Sequence, residues 1–152
     1  MNKWILPIVL GGLIVGALDI GYAIAHYYVV YQVPPVRILQ SVAAGAIGKE
    51  AATAGGWATG GLGLALHFLL TTLMAAFFVA WTRMVPDLNK WPLLSGATFG
   101  LAIFAIMQVV VLPLSATGGA GGGPEGQFLV GGLLIHAFGV GVPIALIAKR
   151  FA

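Results

Sequence analysis

The sequence predicts an all-α integral membrane protein in which four spanning helices form a bundle, with both termini in the cytoplasm. Of 152 residues, 60% are hydrophobic and only 7% are charged, whereas a soluble domain carries about 25% charged residues. The mean hydropathy is +1.03. Four apolar runs are long enough to cross the hydrocarbon core, which takes about 20 residues. We therefore expect a single membrane domain over residues 1–152.

The first predicted span covers Ile5–Tyr27 and contains an acidic residue, Asp19. A preceding lysine and a following Ala-Ile-Ala resemble a signal peptide, but the apolar run is too long and Asp19 interrupts it. We therefore expect a retained first helix. Pro34-Pro35 should end it, because proline cannot continue a helix and restricts the residue before it.

A shorter helix, about residues 36–52, is predicted between the first two spans. One face carries apolar residues at helical spacing, which are Val36, Leu39, Val42, Ala43, Ala46 and Ile47. The other face carries Arg37, Gln40, Ser41 and Lys49. At this length the helix should lie on the outer surface of the membrane or enter it as a re-entrant segment.

The remaining spans are predicted at Thr59–Trp81, Leu93–Leu112 and Phe128–Ala148. The second and third should be antiparallel neighbours, because only Thr82–Pro92 joins them. A glycine-rich segment, Pro113–Gln127, joins the third and fourth and is typical of a flexible loop. Closely spaced small residues favour close packing of helices within or between subunits; they include Gly12, Gly16, Gly96, Gly100, Gly131, Gly132, Gly139 and Gly141.

The basic residues set the expected orientation. Five fall on one side of a four-span topology, namely Lys3, Arg83, Lys90, Lys149 and Arg150, and two on the other, Arg37 and Lys49. The side with more basic residues is usually cytoplasmic, which places both termini inside. The net charge of +3 is scattered over helix ends, so nucleic acid is excluded as a partner. The absence of cysteine excludes disulfides, iron–sulfur clusters and thiolate chemistry.

Three ionisable residues within the spans, Asp19, His67 and His136, form the candidate site. Each costs roughly 2.5–3.5 kcal/mol in a bilayer core, which makes it a candidate for function. Counting residues from the span ends places Asp19 roughly 9 Å, and both histidines roughly 12 Å, below the outer surface. Thr71 shares a helix face with His67, and Met107 and Gln108 lie in the outer half of the third span.

Four functions fit such a polar layer. His67 and His136 could be axial ligands of a b-type haem, or they could hold a metal ion with Met107 or Asp19. Asp19, His67, His136, Gln108 and Thr71 could instead bind a ligand or relay protons or cations. Transport or electron transfer would be the process that such a site serves. The layer could also only specify helix packing in an accessory subunit of a larger membrane complex. No serine occurs in a setting that indicates a hydrolase, and self-association or a partner membrane subunit is expected.

Parts of the last three spans resemble the YagU-type family of small bacterial inner-membrane proteins, whose function is not established. The similar positions are His67-Phe68-Leu69-Leu70, Val85-Pro86, Leu88, Trp91, Gly96, Met107, Pro113-Leu114, Phe128, His136 and Lys149-Arg150. Members of that family are longer and have extra segments between the first two spans, which this chain lacks. The resemblance implies a bacterial plasma-membrane protein and favours His67 and His136 as a pair. It implies no substrate.

Overall fold

The computed structural model of the protein describes residues 3–118 and 127–152, which are largely helical and contain no β-strand. Four helices are long and apolar enough to cross a membrane: Ile5–Tyr31, Gly56–Met84, Pro92–Leu114 and Leu129–Arg150. The predicted all-α fold with four long apolar helices is confirmed. Each helix extends beyond the predicted apolar run at one end or both, for example through Tyr28–Tyr31 and through Lys149-Arg150. The glycine-rich part of the predicted flexible loop, residues 119–126, lies outside the described residues.

In chain order the helices are α1 (Ile5–Tyr31), α2 (Pro35–Ile47), α3 (Lys49–Ala54), α4 (Gly56–Met84), α5 (Pro92–Ile106), α6 (Leu112–Leu114), α7 (Gln127–Leu134) and α8 (Val142–Arg150). A 3₁₀-helix, Pro86–Lys90, joins α4 to α5. π-helical turns, Met107–Val111 and Ile135–Gly141, join α5 to α6 and α7 to α8. The third and fourth spans are therefore continuous helices with a widened turn in each.

The helix predicted over residues 36–52 is two helices, α2 and α3, because Gly48 adopts φ +82°, which glycine tolerates and other residues rarely adopt. Gln40, which the pattern placed on the water-facing side, is 4% exposed. Its side-chain nitrogen donates to the carbonyl oxygen of Gly56 at 2.9 Å and its side-chain oxygen accepts from Arg37 at 3.1 Å. Gln40 is buried because α2 packs against the beginning of α4, whereas Arg37, Ser41 and Lys49 of the same predicted face are exposed.

The largest apolar cluster lies in the half of the bundle nearer the end of α4. It joins α1, α4, α5 and the last span through Val15, Ala75, Phe78, Val79, Phe99, Val140, Ile144, Ala145 and Ala148. α4 and α5 meet there through aromatic rings, with the Phe78 and Phe99 centroids 4.9 Å apart. This cluster fills the space between the helices on that side of the polar layer.

Arg83, in the last turn of α4, contacts residues near both ends of the described chain. Its Nη2 donates to the carbonyl oxygens of Lys3, at 3.1 Å, and Phe151, at 2.7 Å. Its guanidinium lies 5.6 Å from the ring centroid of Trp4, within the range of a cation–π interaction. Both ends therefore lie at the same end of the bundle. That this end faces the cytoplasm stays a prediction from the charge distribution.

Each π turn is followed, two residues later, by a proline. The backbone N–H of Leu112 donates to Met107, and that of Val142 to Ala137, so both bonds span five residues. A proline ring presses on the carbonyl group four residues earlier in an α-helix. Widening the turn before Pro113 and Pro143 relieves that contact and keeps both spans helical.

Candidate functional site

His67 lies on α4 and is 8% exposed. Its Nε2 is 3.0 Å from the carbonyl oxygen of Gly16 on α1. Because a carbonyl oxygen can only accept, Nε2 carries a hydrogen and donates it. The approach depends on glycine: a Cβ atom on Gly16 would lie 2.6 Å from Cδ1 of Phe68. The absence of that side chain therefore allows α4 to approach the α1 backbone closely.

Thr71 repeats this contact one turn further along α4. Its buried hydroxyl donates to the carbonyl oxygen of Gly12, with Oγ1 at 2.9 Å. His67 and Thr71 are four residues apart, as are Gly16 and Gly12, so each pair lies on one helix face. Two side chains of α4 thus bond two backbone carbonyls of the antiparallel helix α1. The candidate residue Thr71 lies beside His67, as its spacing predicted.

Asp19 is a second group of α1 that faces Nε2 of His67. Its Oδ2 is 3.9 Å from Nε2 of His67, and the two side chains are 22% and 10% exposed. This distance is too long for a hydrogen bond. It is within reach of an ion pair when the imidazole carries two protons. Nε2 of His67 therefore faces both a carbonyl oxygen and a carboxylate, and we refer to these two side chains as the Asp19–His67 pair.

His136 has a different set of partners. Its Nδ1 is 2.9 Å from the carbonyl oxygen of Gly132, one turn earlier in its own span, so Nδ1 is the donor. Its ring meets that of Phe104 on α5 edge to face, with centroids 5.1 Å apart. The contacts of His67 are to α1, whereas those of His136 are to its own helix and to α5.

Met107 and Gln108 begin the π turn of the third span, and both are half-buried. The third span packs against the last one, where Gly100 meets the backbone of His136. These two residues are thus placed by the same packing as His136. The described contacts do not connect them with the Asp19–His67 pair.

The hydrogen bonds of His67 and His136 show which ring nitrogens could bind the predicted metal ion or haem. Within residues 3–118 and 127–152, no group of three His, Cys, Asp or Glu side chains could hold a metal ion. Nε2 of His67 and Nδ1 of His136 each donate a hydrogen to a carbonyl oxygen, which leaves the lone pair on the other nitrogen of each ring. A metal-binding histidine commonly donates through one ring nitrogen and binds through the other, so ligation of a metal or haem by these two histidines stays a prediction.

The sequence interpretation missed one part of this site, the use of the Gly12 and Gly16 carbonyls as hydrogen-bond acceptors. Their four-residue spacing matches that of His67 and Thr71. Tyr22 and His26 share a face of α1 with Asp19, as their spacing at i+3 and i+7 predicts, and His26 lies near the interface beside Tyr27 and Tyr28. Its ring stacks on that of Tyr22, with centroids 5.4 Å apart and planes at 23°.

Comparison with known proteins gave no match: no protein-family model, curated protein or solved structure matched this chain.

Proposed function

We propose that this multi-pass membrane protein binds a proton at the Asp19–His67 pair and that proton transport is the process it serves. One observation carries the proposal: within a spanning helix, Nε2 of His67 lies 3.0 Å from the Gly16 carbonyl oxygen and 3.9 Å from the Asp19 carboxylate. Both neighbours present an oxygen to that nitrogen, which therefore carries a hydrogen.

Charge balance explains why such a pair suits a proton. A neutral imidazole beside a carboxylate carries one negative charge, whereas the same pair with one more proton has no net charge. An uncompensated charge is costly within a bilayer. The carboxylate can accept the proton itself or face an imidazolium, so the pair has two ways to hold it.

The surroundings of the pair close it off from the Arg83 end of the bundle. Beyond Thr71, toward Arg83, the interior is filled by Ala75 and Phe78, which are fully buried. These side chains offer a proton no hydrogen-bonding group. Asp19, in contrast, keeps part of its side chain exposed. Transport would therefore require a second arrangement of the helices in which the pair is reached from the Arg83 end.

We further propose that the protein lies in the bacterial inner membrane, with the Arg83 end in the cytoplasm and the Asp19–His67 pair nearer the outer face. The excess of basic residues at the Arg83 end supports this orientation. The resemblance to YagU-type proteins supports the bacterial plasma membrane.

A packing role in a larger complex is the competing function, and the small-residue faces bear on it. Gly12, Gly16, Gly96 and Gly100 are buried against other helices of the same chain. They are not available to a second subunit, so they lend no support to an interface between chains. An accessory subunit would have to use the remaining, bulkier apolar surface.

The proposal is tested by following protonation of His67 in lipid nanodiscs with ¹⁵N-labelled histidine. Nitrogen chemical shifts distinguish an imidazole with one proton from an imidazolium with two. We expect to observe both forms of His67. Asp19→Asn should change the nitrogen signals of His67, because it removes the carboxylate 3.9 Å from Nε2.

Asp87→Asn is the matched control, because Asp87 pairs with Lys90 at 2.8 Å in the turn after α4. It should leave the His67 signals unchanged. If only one form of His67 is observed, or if Asp19→Asn changes the His67 signals no more than Asp87→Asn does, the proton-binding function is wrong.

A further inference from the structure

A row of three side chains on α1 leads away from the Asp19–His67 pair. Asp19, Tyr22 and His26 are spaced at i, i+3 and i+7 and therefore share a helix face. All three are half-buried, whereas Gly21 and Ala25, between them in sequence, are exposed. The row therefore lies on the side of α1 that faces the protein.

The last span covers the middle of this row. A methyl group on Gly131 of α7 would collide with the hydroxyl oxygen of Tyr22. The hydroxyl thus lies against the α7 backbone at a position where glycine leaves space. On its other side the Tyr22 ring is stacked on His26. Tyr22 is therefore held between α1 and α7, with its ring in contact with a histidine.

The length of the row matches the depth of the pair. Seven residues separate Asp19 from His26, which corresponds to about 10 Å along a helix. The residue count places Asp19 roughly 9 Å below the near membrane surface. His26 therefore lies at the level of that surface, and its ring also meets that of Tyr27, with centroids 5.8 Å apart.

We infer that His26 and Tyr22 form the route by which protons reach the Asp19–His67 pair. This inference rests on the proposed function and assigns its entry path. The half-buried imidazole of His26 would take up a proton at the level of the surface. A hydroxyl group can accept one hydrogen bond and donate another, so a proton would arrive at the Tyr22 oxygen as another leaves toward Asp19. Tyr22 returns to its starting form after each transfer.

The groups around the row are consistent with this direction of travel. His67 of α4 faces Asp19 at its inner end, and Tyr27 flanks His26 at its outer end. Beyond the inner end, the next interior side chains after Thr71 are apolar. The row therefore provides titratable or hydroxyl groups only between the pair and the near surface, among the described residues.

The test measures proton flux into proteoliposomes that contain a pH-sensitive dye, with a potassium ionophore to prevent a membrane potential. Tyr22→Phe and His26→Gln should each slow flux by about a hundredfold, the lower end of what a positioned proton-transfer group contributes. Gly131→Ala should slow it as well, because the added methyl group displaces the Tyr22 hydroxyl. His67→Gln defines the flux of vesicles without a working pair.

Two controls match these variants. Tyr28→Phe removes a hydroxyl from an exposed tyrosine of the same helix, and Gly21→Ala adds a methyl group where nothing lies within 4 Å. Both should keep wild-type flux. The ¹⁵N signals of His67 in the same samples should be unchanged in Tyr22→Phe and His26→Gln, which shows that the pair is intact.

The outcomes separate the route from the function. If wild-type flux equals that of His67→Gln, proton transport by the pair is wrong, and the route with it. If His67→Gln is slow while Tyr22→Phe, His26→Gln and Gly131→Ala keep wild-type flux, the proposed function stands and the route is wrong.

Discussion

Two helix interfaces in this protein depend on the same sequence motif, a pair of glycines four residues apart, and use it differently. In the first interface, between α1 and α4, the Gly12 and Gly16 carbonyls accept hydrogen bonds from Thr71 and His67. In the second, between α5 and the last span, a Cβ on Gly100 would collide with the carbonyl oxygen of His136. The first interface is closed by polar side chains and the second by contact between backbones.

The difference shows that small residues determine how closely two helices approach, but not which groups interact between them. A bare backbone offers both apolar surface and an exposed carbonyl oxygen. The facing helix decides which is used. α4 presents a histidine and a threonine four residues apart, whereas the last span presents its own backbone and small residues. Proton chemistry is therefore expected in the first interface only.

The largest expected effect is the loss of unfolding free energy when a methyl group is added to a glycine of each interface. Gly100→Ala should lower the free energy of unfolding by about 3 kcal/mol, because backbone atoms of the facing helix cannot move aside. Gly16→Ala should cost about 1 kcal/mol, because the Phe68 ring and the Thr71 hydroxyl can rotate. Unfolding in mixed detergent micelles measures both. Equal losses would mean that the two interfaces are packed alike.

An intermediate effect is expected from removing one polar contact of the first interface. Thr71→Val keeps the side-chain volume but loses the hydrogen bond to Gly12, which should cost about 1 kcal/mol of unfolding free energy. Thr98→Val is the control, because the Thr98 hydroxyl bonds only carbonyls of its own helix, those of Leu94 and Ser95. Equal effects of the two substitutions would show that the bond between helices contributes no stability.

The smallest effect is expected at His136. His136→Gln should cost about 0.5 kcal/mol of unfolding free energy, because it loses the edge-to-face contact with Phe104 and a hydrogen bond that lies within one helix. The same unfolding assay applies. A loss larger than that of Thr71→Val would show that His136 contributes more to the second interface than this ring contact.

Much of the fold was predictable because a bilayer imposes simple requirements on composition and length. The four long helices follow from their apolar runs, and their extra turns lie where apolar and polar residues meet. The break at Gly48 was less visible, since the segment around it keeps helical spacing. The burial of Gln40 was not predictable from its own helix, because the polar partners come from Gly56 and Thr59 in the next helix.

The sequence predicted the depth of the site residues in the membrane but not the direction in which their side chains point. Residue counts place His67 and His136 at equal distances from the outer surface. The rise per residue gives only this distance along the helix axis. The direction of each ring depends on how its helix is rotated against its neighbours. That rotation follows from the glycine contacts, which bring His67 to α1 and His136 to Phe104. Asp19 and His67 therefore meet, while His136 bonds within its own helix.

The π turns before Pro113 and Pro143 also affect how these spans would tolerate changes in length. Deleting one residue from an ordinary spanning helix rotates everything beyond it by about 100°, which turns buried faces toward lipid. A π turn already contains an additional residue relative to an α-helix. A single deletion within Ile135–Gly141 would restore α-helical bonding and leave the flanking faces in place, at the cost of a proline kink. In each of these two short segments the protein could lose one residue while the same helix faces stay buried on both sides of it.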